Sequence, residues 1–151
     1  MTKTIEMIVG LKVPDATAIT ALQTLKKMGL LKIIDAKRAD YYKFQIDDDA
    51  RKFKDKISKA DILVNANKHS FTFSIPKDKS IKLLVKNLNG GENSILSTLK
   101  LRLGFKNIKK AEKGTLWMLY IDGDRKESMR IAEKAALDLL VNEHCQDFTV
   151  L

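Results

Sequence analysis

Residues able to do chemistry are few in this chain of 151 residues. Its two histidines are His69, at the head of a predicted strand, and His144, in a loop beside Cys145. Adjacency in sequence does not supply the geometry of a Cys–His dyad, and no metal-ligand spacing occurs, so we interpret both as loop or surface histidines. Cys145 is the only cysteine, which excludes an internal disulfide and favours a small buried apolar role.

Two further sequence patterns resemble ligand-binding loops. The segment Asn89–Ser94 precedes a predicted helix, but without a following Lys-Ser/Thr it is weak as a phosphate loop, and we interpret it as a turn with a cap. The clusters Asp47–Asp49 and Asp122–Asp124 are too short for calcium loops, and helix N-capping explains them. The sequence therefore predicts no catalytic residue, no cofactor and no metal site.

The charge balance is strongly basic. Lysine and arginine number 28 against 19 acidic residues, a net charge of +9, which suits nucleic acid, an acidic partner protein or a phosphorylated metabolite. The lysines are dispersed, which favours a solvated surface, and the stretch 106–110 lacks the aromatics that RNA readout uses. No apolar run approaches the ~20 residues that span a bilayer, and the start lacks a signal peptide's apolar core. We expect a cytoplasmic protein that binds neither membrane nor nucleic acid.

Hydrophobic periodicity predicts the elements that must position these residues. Asp15 is a predicted N-cap for the first helix, and Gly29 is its predicted end. Each half of the chain follows the order βαββαβ. The predicted strands are 4–12, 32–38, 40–47 and 69–75, then 81–85, 106–112, 115–122 and 145–151, and the predicted helices are 16–28, 49–65, one ending at Gly104, and 125–141.

The halves also agree in residues. Most matches lie about 75 positions apart, which indicates tandem duplication of one unit. The matched segments are Met28–Leu30 with Leu103–Phe105, Phe44–Asp47 with Leu119–Asp122, Ile62–Asn65 with Leu139–Asn142, and Phe71 with Phe148. We therefore predict an α+β fold of two tandem ferredoxin-like units, residues 1–76 and 77–151, each an antiparallel sheet with helices on one face.

One strand face differs between the halves. The non-core side of the third strand carries Tyr41, Lys43 and Gln45 in the first half, whereas the second half has Leu116, Met118 and Tyr120 there. An exposed apolar strip of this kind commonly marks an interface. We expect the open sheet faces to pack against each other or against another chain.

Several segments together resemble the PurS family, the small subunit of phosphoribosylformylglycinamidine synthase. Residues 13–29 resemble the family's first-strand exit and helix, V-L-D-P-x-G to A-L-x-x-L-G, and Ile33–Asp40 falls on its V-x-D-V-R-x-G-K stretch. Leu139–Phe148 falls on its C-terminal L-L-A-N-P-V-I-E-D-Y, and Ile62–Phe71 does so more faintly. The resemblance covers essentially the whole chain. The R-x-G-K set is incomplete in both halves, with only Gly114 and the charge at Lys37 matching.

The resemblance implies an accessory, non-catalytic subunit of an ATP-dependent amidoligase in purine biosynthesis. Such a subunit bridges a large synthetase subunit (PurL) and a glutaminase subunit (PurQ), and the family unit self-associates as a dimer, so a duplicated chain corresponds to one dimer. The unequal strand face, taken together with the family's R-x-G-K stretch, predicts a partner surface on the third strand of each half with its preceding turn. The residues predicted for that surface are Lys37, Arg38, Tyr41, Lys113, Gly114, Leu116 and Met118.

Two alternatives stay open at this point. A tandem ACT-like regulatory protein shares the βαββαβ order and binds amino acids, and Asn89–Gly91 partly matches its glycine-bearing loop. Stabilisation by an amino acid would distinguish it. An RNA-binding protein of similar fold would need exposed aromatic pairs and would lose affinity steeply with salt.

Overall fold

The computed structural model describes residues 2–60, 63–88, 92–101, 104–142 and 144–151, with only the backbone for 92–95. The strands are β1 (Lys3–Leu11), β2 (Ile33–Ile46), β3 (His69–Thr72), β4 (Ile81–Asn87), β5 (Ile108–Ile121) and β6 (Gln146–Val150). The helices are α1 (Ala16–Lys27), α2 (Ala50–Ile57), α3 (Glu92–Leu101) and α4 (Arg125–Ala135), and a π-helical turn, Ala136–Leu140, continues α4. The fold is α+β, with an antiparallel sheet in the order β3-β1-β2-β5-β4-β6.

Several predicted boundaries are wrong. Two strands were expected over 32–47 and two over 106–122, but β2 and β5 are each one unbroken strand of 14 residues. Neither Ala39–Asp40 nor Gly114 turns the chain, because each strand continues without a break through that position. The second helix was expected to reach residue 65 but ends at Ile57. The predicted turn Asn89–Gly91 lies outside the described residues.

The predicted helix signals are confirmed where the structure describes them. The Asp15 carboxylate accepts the backbone N–H groups of Thr17 and Ala18 at 2.9 and 3.3 Å, which satisfies orphan donors of the first turn. Asp49 and Asp124 cap α2 and α4 in the same way, so the two acidic clusters are capping segments. Gly29, with φ of 94°, ends α1 in a conformation that glycine adopts without steric cost.

The chain forms two compact units, and each is built from three separate segments that come from both halves of the sequence. Unit 1 comprises Met1–Val13, Asp40–Pro76 and Gly90–Gly114, and unit 2 comprises Pro14–Ala39, Lys77–Asn89 and Thr115–Leu151. The strands β2 and β5 therefore each contribute one part to each unit. Helix α1 belongs to unit 2 and α3 to unit 1. Tandem duplication with domains at 1–76 and 77–151 stays a prediction.

The core of unit 1 lies between its strands and the helices α2 and α3. Register between β1 and β2 pairs Ile5 with Phe44 and Met7 with Tyr42. These side chains point to one face because successive residues of a strand alternate. They pack with Phe53 of α2 and Leu99 of α3. Phe44 and Phe53 meet edge to face at 5.4 Å between ring centroids, a favourable aromatic geometry.

Unit 2 has a separate core. Its sheet face presents Ile81, Leu83 and Val85 of β4 together with Trp117 and Leu119 of β5. The helices α1 and α4 cover that face with small and aliphatic residues, among them Ala18, Leu25, Ala132 and Ala135. Alanines at these positions let α4 approach the sheet closely.

Candidate functional site

Two of the residues predicted to bind a partner, Lys37 and Arg38, lie side by side on β2 in unit 2. Lys37 is exposed, and its ammonium lies 5.4 Å from the ring centroid of Tyr120. The Arg38 guanidinium binds Asp15 through two contacts, Nε to Oδ2 at 2.9 Å and Nη2 to Oδ1 at 3.3 Å. Since Asp15 is also the cap of α1, Arg38 fixes the start of that helix to the sheet.

Two residues of the apolar strip of unit 2 are buried, and the surface that the strip packs against stays a prediction. Leu116 is 0% exposed and Met118 is 8% exposed. Both point away from the helices, because their register partners on β4 are Leu84 and Lys82 while Trp117 and Leu119 face the core. The burial of Leu116 and Met118 gives both a packing role.

The remaining predicted residues, Tyr41, Lys113 and Gly114, lie in unit 1. Tyr41 is 3% exposed, and its hydroxyl donates to Oε2 of Glu6 at 2.5 Å. Burial and this hydrogen bond raise the pKa of Tyr41 well above its ordinary value. Lys113 is exposed, with its ammonium 5.8 Å from the Tyr42 ring centroid, and Gly114 is buried in mid-strand. Lys37 and Lys113 are thus the fully exposed members of the predicted set, and partner binding stays a prediction.

Sequence reasoning missed a polar cluster at the start of β4 in unit 2, which we call the Asp78 cluster: Asp78, Ser80, Lys82 and Tyr120. The Lys82 ammonium contacts Asp78 Oδ1 at 2.8 Å and the backbone carbonyls of Asp78 and Ser80 at 3.0 and 3.1 Å. The hydroxyl of Ser80 and that of Tyr120 also donate to the carboxylate, the latter at 2.7 Å. Only 10% of the Lys82 side chain is exposed. This arrangement neutralises a buried cation.

Two groups of the Asp78 cluster, the Asp78 carboxyl and the Tyr120 hydroxyl, have shifted pKa values. Burial works to raise the pKa of Asp78, but hydrogen bonds from Lys82, Ser80 and Tyr120 outweigh it and hold that pKa well below its usual range. Burial, followed by the hydrogen bond to Asp78, raises the pKa of Tyr120 to about 12. A general acid or base works best with a pKa near the working pH. Neither group meets that condition, and the contacts of the cluster pair the Lys82 ammonium with a carboxylate.

The two histidines and the cysteine lie in or next to loops. His69 Nδ1 accepts a hydrogen bond from the backbone N–H of Asn65 at 2.9 Å. The exposed residue His144 donates its backbone N–H to Oδ1 of Asn142. Cys145 is half-buried rather than buried. Within the described ranges, no three His, Cys, Asp or Glu side chains converge closely enough to hold a metal ion.

Comparison of the sequence with models of known protein families and with characterised proteins found no match. Among the helices of the described residues, none combines the length and apolar character needed to cross a membrane.

Proposed function

We propose that this chain is a non-catalytic bridging subunit of a phosphoribosylformylglycinamidine synthase complex, of the PurS type, acting in the cytoplasm. In that role it links a synthetase subunit to a glutaminase subunit during conversion of formylglycinamide ribonucleotide to the amidine. Keeping two enzymes together raises the effective concentration of a shared intermediate. The net charge of +9 favours association with acidic partner surfaces.

The strand order inside each unit is the observation that carries this proposal. In unit 1 the order β3-β1-β2-β5 matches a ferredoxin-like sheet whose first to fourth strands are β1, β5, β2 and β3. In unit 2 the corresponding strands are β4, β2, β5 and β6, with α1 and α4 as the two helices. Each half of the chain would thereby donate its first helix and following half-strand to the unit of the other half.

Such an exchange gives the bridging role a physical basis. The PurS family unit is a self-associating dimer, and two copies that trade a helix and a half-strand in one chain supply the equivalent of that dimer. Domain exchange is a low-cost route from monomer to dimer because the same contacts form within and between copies. Because the two copies are fused in one chain, every molecule carries two copies of the docking surface.

The direct test is capture of partners by the tagged full chain from an extract of its native source. We expect a synthetase and a glutaminase to be retained, and we expect the chain to increase glutamine-dependent amidation when added to the two purified enzymes. Retention of neither enzyme would contradict the proposal. Stabilisation of the chain by a free amino acid, read as a rise in Tm, would favour the ACT-like alternative instead.

Exposed lysines allow the docking surface to be tested without unfolding the protein. The double variant Lys37→Glu/Lys113→Glu reverses two charges on the predicted surface. The matched control Lys59→Glu/Lys126→Glu reverses two exposed charges elsewhere. We expect the first variant to reduce capture at least about tenfold and the control to leave it within about twofold. Equal effects would place docking elsewhere. Replacing Leu116 or Met118 is unsuitable because both are buried.

A further inference from the structure

A crevice of about 280 Å³ in unit 2 lies where α1 ends, and we call it the Gly29 crevice. Its wall comes from the loop between α1 and β2 and from one face of α4. The lining residues are Gly29, Leu30, Leu31, Lys32, Arg130, Ile131 and Lys134. Three of them are cationic and three are aliphatic.

Local backbone geometry explains why the crevice is open. The N–H of Gly29 bonds to the Lys26 carbonyl at 3.1 Å, and that of Leu30 bonds to the Leu25 carbonyl at 3.1 Å. This termination turns the chain sharply, so that Leu30 packs on the core of unit 2 while Leu31 stays 72% exposed. On α4, Arg130 and Lys134 are four residues apart and share a face.

The cations of the crevice differ in how they are paired. Lys32 contacts Glu127 at 2.5 Å and Lys134 contacts Asp138 at 3.4 Å, so carboxylates hold both ammonium groups. Arg130 is exposed, and among the residues that the structure describes it has no ion-pair partner. Its guanidinium therefore retains the two-pronged donor set that matches a phosphate or carboxylate.

Unit 1 has a crevice in the corresponding place, and its lining includes two lysines, Lys56 and Lys106. Gly104, with φ of 71°, ends the segment before β5, and the space beside it measures about 160 Å³. Lys56 Nζ donates to the Gly104 carbonyl at 3.1 Å and lies 4.5 Å from the ring centroid of Phe105. Asp48 adds a carboxylate to the lining. The crevice of unit 1 is thus smaller and carries a carboxylate, whereas the crevice of unit 2 carries an arginine that has no ion-pair partner among the described residues.

We propose that the Gly29 crevice binds a small phosphate monoester with an apolar substituent. Arg130 donates hydrogen bonds to the phosphate oxygens, and the side chains of Leu31 and Ile131 contact the substituent. Ligand pockets commonly measure about 300–1,000 Å³, so a crevice near the lower limit takes a single phosphate with a compact apolar group rather than a dinucleotide. The proposal is independent of the bridging function.

Phenyl phosphate is a suitable probe, with inorganic phosphate and phenol as partial probes. In NMR titration of the full chain we expect phenyl phosphate to shift the amide signals of Gly29, Lys32 and Arg130, with a dissociation constant below about 1 mM. Each partial probe should bind at least about tenfold more weakly. Binding of inorganic phosphate as tight as that of the ester, or shifts of equal size at Gly104 and Lys106, would overturn the proposal.

The decisive variant is Arg130→Gln, and the matched control is Arg125→Gln, an exposed arginine on the same helix outside the crevice. Loss of a two-pronged charged contact should weaken phenyl phosphate binding at least about tenfold. The control should stay within about twofold of the parent chain. Both arginines are exposed, so folding is retained and is verified by Tm. Equal affinity of Arg130→Gln and the parent chain would refute the assignment.

Discussion

Each unit carries a tyrosine–carboxylate hydrogen bond beside its sheet, but the two bonds have different surroundings. In unit 1 the Tyr41 hydroxyl binds Glu6, and Tyr41 is 3% exposed. In unit 2 the half-buried Tyr120 binds Asp78, which also holds Lys82 and Ser80. The tyrosine–carboxylate pair is thus a simple buried hydrogen bond in unit 1, whereas in unit 2 it is one part of a charge-neutralising cluster.

The difference follows from what each sheet face contains. Lys82 shares its face with Leu84, Leu116 and Met118, all at most 8% exposed, so its ammonium has little access to water. A buried charge is tolerated only when it is paired and hydrogen-bonded. Asp78 and two backbone carbonyls meet that need. In unit 1 the cations near the corresponding face, such as Lys43, are more exposed, and no such cluster is required.

Asp78→Ala should be the most damaging of these changes, because it leaves the buried ammonium without its carboxylate. Removing one partner of a buried pair costs about 3–5 kcal/mol. The Asp78 side chain is 38% exposed and the carbonyl contacts remain, so we expect a loss of about 2–3 kcal/mol in the free energy of unfolding. Chemical denaturation of the parent chain and the variant measures it.

A second substitution separates the charge from the packing. Met in place of Lys82 has similar length and suits the apolar neighbours, so Asp78→Ala/Lys82→Met should recover at least about half of the lost stability. If the double variant is as unstable as Asp78→Ala, the unpaired charge is not the cause of the loss.

Tyr41→Phe should give the next largest effect, because it removes one hydrogen bond to a carboxylate from a buried ring. We expect a loss of about 1–2 kcal/mol in the free energy of unfolding. The control is Tyr42→Phe, whose ring is also 3% exposed and whose hydroxyl bonds to no group among the described residues. That control should change stability by less than about 0.5 kcal/mol. Similar losses in both variants would show that the Glu6 contact contributes nothing.

The comparison also shows which features the sequence could predict. Asp15 as a cap and Gly29 as a helix end depend on neighbours within a few residues, and both were predicted correctly. The sequence did not predict that β2 is one unbroken strand. Apolar and polar residues alternate in the same way in the two strands of a hairpin and in one long strand. Which of the two structures forms depends on the distant strands that pair with each part of the segment.

The Asp78 cluster was missed for a related reason. Alternation of Ile81, Leu83 and Val85 places Lys82 on the opposite face, and a lysine there is usually solvated. Its burial depends on Tyr120 and Met118, about 40 positions away along the chain, so no local pattern indicates it. The burial of Leu116 depends on non-local packing in the same way, so alternation alone does not show what covers it.

Acid should destabilise unit 2 through Asp78. The pKa of this carboxyl is depressed in the folded chain, so its contribution is complete above the unfolded value of about 4 and declines as pH falls toward the folded value. We expect the unfolding midpoint of the parent chain to fall more steeply below about pH 4 than that of Asp78→Asn. The effect should be smaller than that of Asp78→Ala, because a protonated carboxyl still accepts hydrogen bonds. Parallel pH profiles would contradict this role.

Tyr120→Phe should have the smallest effect, although its bond also ends on a carboxylate. The Tyr120 ring is half-buried, Asp78 keeps Lys82 and Ser80 as donors, and a phenylalanine ring still faces the Lys37 ammonium. We expect a loss below about 1 kcal/mol in the free energy of unfolding. Combining Tyr120→Phe with Asp78→Asn in a double-mutant cycle isolates the coupling between the two side chains. A loss as large as that of Tyr41→Phe, or larger, would contradict the expectation that the bond in unit 2 contributes less to stability.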